Sequence, residues 1–147
     1  MSITYEFCSS HDDLEIVFNM FTAMYADNSL SPSPPLSYFE RRWENEEIIV
    51  SKDSGVVIGF YLFHVEPDGL CTHMTVYVHP NYRNQSIATG MCDFGLPYIL
   101  ARGATHFEIF SLSREDTDAL QASRNMQFIE SREVNGVIYK VFRKSIT

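Results

Sequence analysis

The chain has 147 residues, 45% of them hydrophobic and 14% aromatic, which suits one ordered globular domain with a core of its own. A net charge of −8 argues against nucleic-acid binding and against docking on anionic membranes, and it suits a basic acceptor such as an amine. Cys8, Cys71 and Cys92 are odd in number and show no metal-ligand spacing, so free thiols in a reducing compartment are expected. The N-terminal residues lack the basic start and apolar run of a signal peptide, and no apolar stretch approaches the ~20 residues that span a bilayer. A cytoplasmic protein is expected.

The elements read as follows in chain order. Residues 3–8 form a short strand. Ser9 or Ser10 caps a helix whose first turn carries Asp12, Asp13 and Glu15, the charge sign its N-terminus prefers. Leu14, Val17, Phe18 and Phe21 recur at helical spacing, and the helix ends near Asp27 and Asn28. Ser31 to Pro35 is a stiff extended connector, and a second helix covers residues 36–46 with Phe39 and Trp43 as an apolar pair. Strands at 47–52 and 56–65 flank the turn Asp53-Ser54-Gly55; the second is nearly all apolar and belongs mid-sheet. A strand at 70–79 follows, then a helix over 86–102 that ends at Gly103. Gly90, Gly95 and Pro97 predict a kink near Phe94. A strand over 105–112 precedes a last helix capped by Ser113 and ending near Gln127, and a hairpin about Asn135-Gly136 joins strands at 128–133 and 137–143.

The informative join is Val76-Tyr77-Val78-His79-Pro80-Asn81-Tyr82-Arg83-Asn84-Gln85-Ser86-Ile87-Ala88, a strand that delivers the chain through a short loop into a helix start. The first N–H groups of a helix have no partner within it, and with the positive end of its dipole they seat a phosphate. Arg83 adds a charge that such an anion would bond. Residues 83–88 are therefore expected to dock a phosphate-bearing cofactor.

This stretch resembles the cofactor motif of the GNAT acetyltransferases, Val-x-Pro-x-x-(Arg/Gln)-x-x-Gly-x-(Gly/Ala). Val78, Pro80, Arg83 and Ala88 fit, while Ser86 stands where the family has glycine. The element order β-α-α-β-β-β-α-β-α-β-β extends the resemblance over the whole chain. It implies an α/β (α+β) GNAT fold, a mixed sheet of about seven strands splayed between the fourth and fifth and flanked by about four helices. The resemblance further implies acetyl-CoA as co-substrate, its pantetheine arm against Val76 and Val78 and its pyrophosphate over Arg83, Asn84, Gln85, Ser86, Ile87 and Ala88. An amine, on a small molecule or a protein, is the implied acceptor, set by residues 28–38 and 134–137, and a homodimer through terminal strands is in keeping with the family.

Amine acetylation needs a proton acceptor. His73 is the first choice, since an unperturbed imidazole titrates near pH 6.5, and Glu108 is the second. Alternation along the strand places His73, Thr75, Tyr77 and His79 on one face. His64, His79 and His106 read as structural or exposed. The family's last helix carries a tyrosine that protonates the departing thiolate; alignment on Ala119 and Phe128 puts Ser123 there and Asp116 at a usual asparagine. Tyr77 and Tyr82 are the phenols that could stand in. The altered positions Ser86, Asp116 and Ser123 raise an alternative, a GNAT-like binding or structural module without turnover. Arg41-Arg42 and Arg143-Lys144 read as solvated charges.

Overall fold

The computed structural model describes residues 2–112 and 126–146. Its strands are β1 (Ile3–Phe7), β2 (Ile48–Asp53), β3 (Val56–Val65), β4 (Leu70–Val78), β5 (His106–Leu112), β6 (Gln127–Val134) and β7 (Val137–Ser145). Three helices are present among the described residues, α1 (His11–Asp27), α2 (Leu36–Glu44) and α3 (Ile87–Ala101), with a 3-10 turn at Pro80–Tyr82. The last helix expected from the sequence, with Asp116 and Ser123, lies outside the described residues. The strands form one mixed sheet in the order β1-β2-β3-β4-β5-β7-β6.

Contacts divide the chain into two compact units. The first comprises Met1–Phe63 and Thr75–Tyr98. Its helix α1 starts where the Ser10 side chain accepts the Asp13 N–H at 3.2 Å, so the cap is Ser10 and not Ser9. Leu14, Val17 and Phe21 of α1 and Phe39 of α2 are buried against Ile48, Val50, Phe60 and Leu62 of β2 and β3. Phe21, Phe39 and Phe60 pack ring on ring, Phe21 lying 5.2 Å from Phe39 and 6.0 Å from Phe60. As its unbroken apolar run predicted, β3 is buried from Val57 to Phe63. The β2–β3 turn has positive φ at both Ser54 and Gly55, as a two-residue hairpin requires.

Helix α3 runs from Ile87 to Ala101 with Pro97 inside it. Its glycines answer to packing: a Cβ at Gly90 would lie 2.1 Å from the Tyr5 hydroxyl oxygen, and one at Gly95 would lie 2.8 Å from Cδ1 of Ile49. Glycine is there so that the helix can approach β1 and β2 closely.

The second unit comprises His64–Met74 and Ile99–Thr147. In it β4 and β5 run parallel, with Leu70 opposite His106 and Cys71 opposite Phe107, and no further register pairs among the described residues. β5 pairs antiparallel with β7 along its whole length, and β7 with β6 through a turn with positive φ at Asn135 and Gly136. Arg143 is no solvated charge: its Nε donates to the buried Glu108 carboxylate at 2.8 Å. Arg42, in the first unit, likewise pairs with the buried Glu47 at 3.2 Å. No helix among the described residues is long and apolar enough to cross a membrane.

Candidate active site

The site is built where β4 hands the chain to α3. His79 ends the strand, its N–H bonded to the Ile58 carbonyl at 2.8 Å, and its ring Nδ1 accepts the Asn81 N–H at 3.2 Å. That ring is committed to shaping the turn, as expected of a structural histidine. Tyr82 closes the turn by donating its hydroxyl to Asp53 at 2.8 Å. The bond raises the Tyr82 pKa and lowers that of Asp53, so Tyr82 is a poorer acid than a free phenol.

Beyond the turn, Asn84 and Ser86 adopt φ of +63° and +61°. Serine thus holds a left-handed backbone that glycine adopts more readily. Asn84, Gln85 and Ser86 are exposed and Ile87 is buried, pinning the first turn of α3. The first intrahelical bond there runs from the Gly90 N–H to the Ser86 carbonyl at 3.0 Å. Geometry leaves the amides of Ile87, Ala88 and Thr89 without a carbonyl one turn back, so the helix start can receive an anion.

Arg83 turns towards the end of β4. Its side chain bends back on the end of β4, Nε donating to the Val78 carbonyl at 3.0 Å and the guanidinium lying 5.6 Å from the centre of the Tyr77 ring. There it borders a cavity of about 390 Å³ with Val76, Tyr77 and Val78 of β4 and Met24, Asp27 and Asn28 at the end of α1. Tyr77 is stacked on Phe60 at 5.6 Å and 18°, which fixes this wall. The sequence pointed to Val76, Val78 and Arg83; Met24 and Asp27 were missed, because nothing local shows that the end of α1 comes to β4. A larger cavity, about 460 Å³ beside Phe7, Trp43 and Glu46, holds none of the motif residues.

The candidate bases separate. His73 is exposed, with φ of +55° and its ring 6.0 Å from that of His64. A left-handed residue interrupts the pleat, so the simple alternation of faces does not carry through it. Glu108 is buried and held by Arg143, an arrangement that serves the sheet. His64 lies 3.7 Å from Glu66, and His106 contacts Thr105 at 2.9 Å, both as structural histidines do.

The fold is a seven-stranded mixed sheet with a parallel β4–β5 pair, and β4 leads through a short turn into α3. A model of the acetyltransferase (GNAT) family matches residues 14–125, and the chain belongs to that family. Among solved structures, the chain is similar to the NatC complex bound to Gag peptide and CoA, with TM-score 0.79, 14% identity and 100% of both chains covered. It is also similar to Ard1 from Thermoplasma volcanium (TM-score 0.76, 13% identity, 100% of this chain and 99% of that one). A third neighbour is yncA from Salmonella typhimurium with its cofactor acetyl-CoA (0.75, 14%, 100% and 95%). These likenesses establish the fold. No curated protein matches the chain by sequence.

Proposed function

We propose that the chain acts as one domain to transfer an acetyl group from acetyl-CoA to a primary amine, by direct attack in a ternary complex. The observation that carries this reading is Ser86. A serine at φ +61° is costly, and backbone strain of this kind is kept at ligand sites more than elsewhere, which supports a functional role for the turn into α3. CoA or acetyl-CoA in the neighbouring structures supports the same co-substrate. In this reading the amides at the start of α3 take the pyrophosphate, with Asn84, Gln85 and Ser86 around it, and the strand end at Val76 and Val78 takes the pantetheine arm.

The acceptor, an ammonium at neutral pH, gives one proton to a base; the freed nitrogen bonds to the acetyl carbon, the carbon–sulfur bond breaks, and the thiol leaves with the second proton. His73 is the proposed base, supported by its exposed imidazole. Ser123 is proposed beside the departing sulfur. The test is thiol release from acetyl-CoA over a panel of amines. We expect amine-dependent release, at least tenfold slower in His73→Ala because general bases contribute roughly a hundredfold or more. Acetyl-CoA binding with no release for any amine would favour the module without turnover.

A further inference from the structure

We infer that the cavity beside Phe7 and Trp43 binds a small organic cation, an ammonium with an apolar body, at a place separate from the transfer site. The inference does not depend on the acetyl-transfer reading. The cavity, about 460 Å³, lies where β1 passes into α1 and α2 passes into β2, lined by Phe7, Cys8, Ser9, Trp43, Glu44 and Glu46. That volume falls within the roughly 300–1,000 Å³ of ligand sites. The cavity sits by Ile48, opposite Leu62 in the sheet, whereas the β4–α3 join sits by Ile58, whose carbonyl accepts the His79 N–H. From Leu62 to Ile58 is four residues of β3, about 13 Å of strand, and no residue lines both cavities.

The charge on this wall is negative. Glu44 and Glu46 bring carboxylates, while burial pushes the Cys8 thiol up to a pKa of about 11 and so keeps it neutral. The cavity also meets the C-terminal end of α2, the negative end of that helix's dipole. Basic groups on the same elements are engaged elsewhere, Arg42 with Glu47 at 3.2 Å and Lys52 with Asp13 at 2.8 Å. Phe7 and Trp43 add aromatic surface, to which a cation is drawn by the negative face of the ring. Phe7 is held edge-on by Tyr98 at 4.9 Å, and Trp43 lies 6.2 Å from the ring of His11, which is 3.5 Å from Glu15. Glu46 stands on this wall against the preference of its backbone. Its N–H bonds the Trp43 carbonyl at 3.0 Å and the Glu47 N–H bonds the Arg42 carbonyl at 2.9 Å. That pair of bonds closes a helix with a left-handed residue, and Glu46 takes it at φ +54° where glycine is favoured. Among the described residues no group of His, Cys, Asp and Glu could hold a metal ion, so aromatic walls beside two carboxylates point to an organic cation.

Trp43 is the chain's single tryptophan, so tryptophan fluorescence reports on this cavity directly. The experiment titrates choline and benzyltrimethylammonium at constant ionic strength, and 3,3-dimethylbutan-1-ol as the shape of choline without its charge. Both cations are expected to change the emission saturably, and choline to bind about tenfold or more tightly than the alcohol, the scale of a cation on an aromatic face. Saturating acetyl-CoA should leave the choline affinity unchanged. Glu46→Gly eases the backbone at φ +54° while removing the carboxylate, and it should weaken choline about threefold or more without affecting the alcohol. Its thermal midpoint verifies that the variant is folded. No saturable change with either cation, equal binding of choline and the alcohol, displacement of choline by acetyl-CoA, or an unchanged choline affinity in folded Glu46→Gly would each overturn the inference. A failure of acetyl-CoA to bind would instead sink the functional reading and leave the cation site standing.

Discussion

Ser86 sets two backbone costs against each other. A left-handed conformation costs a non-glycine residue roughly 1–2 kcal/mol, whereas glycine costs about 0.5–1 kcal/mol in unfolded-state entropy. Ser86→Gly is therefore expected to leave stability unchanged or raise it by about 0.5 kcal/mol. Ser86→Val, β-branched at the same φ, should cost about 1–2 kcal/mol, and denaturant unfolding of the two variants compares them directly. Cys8 offers a prediction in pH. Burial raises its thiol pKa to about 11, with smaller contributions from nearby groups, so the fold holds the protonated form. Below the unfolded-state value the proton is on in both states and the stabilisation is fully present. Between about 9 and 11 only the folded state keeps it, so stability falls with rising pH, by up to about 2–3 kcal/mol. Cys8→Ala should flatten that part of the stability–pH curve.

At the scale of elements, the hairpins were legible because their chemistry is local: Ser54-Gly55 and Asn135-Gly136 both take the left-handed turn that their residue types predict. In helix α3 the role of the glycines stayed hidden for the opposite reason. Gly90 and Gly95 looked like weaknesses within a helix, but what they allow is contact with Tyr5 and Ile49, residues distant in sequence. The two positions should respond differently to alanine. At Gly90 the new Cβ meets the Tyr5 ring at 2.1–3.0 Å, and overpacking of this kind costs roughly 1–3 kcal/mol. At Gly95 it meets Cδ1 of Ile49 at 2.8 Å, the far end of that side chain, and a helix-propensity gain of about 1 kcal/mol offsets the crowding. Thermal unfolding should show Gly90→Ala clearly destabilised and Gly95→Ala near wild type.

For the molecule as a whole, element order revealed the fold and the strand–turn–helix join revealed the family, since both are written in contiguous residues. What stayed hidden depends on contacts between distant segments. Asp27 reaches the cavity with Arg83 only because α1 packs over β2 and β3 and ends beside Val76–Val78. Arg42 and Arg143 looked like surface charges because their partners, Glu47 and Glu108, are buried on neighbouring stretches of the fold. Truncating Arg143 to alanine should cost about 1–2 kcal/mol in denaturant unfolding, less than for a fully buried pair because Arg143 is itself 37% exposed.

The central claim is that the start of α3 still seats acetyl-CoA despite the serine at position 86. Thermal unfolding with and without the ligand tests it most directly. At a hundredfold excess over the dissociation constant, a ligand that binds only the folded state adds about 2.7 kcal/mol. For a domain of this size that raises the midpoint by roughly 5–10 °C, and the account predicts such a rise with acetyl-CoA near 1 mM. An unchanged midpoint, in folded protein and beside a responding control enzyme, would contradict it.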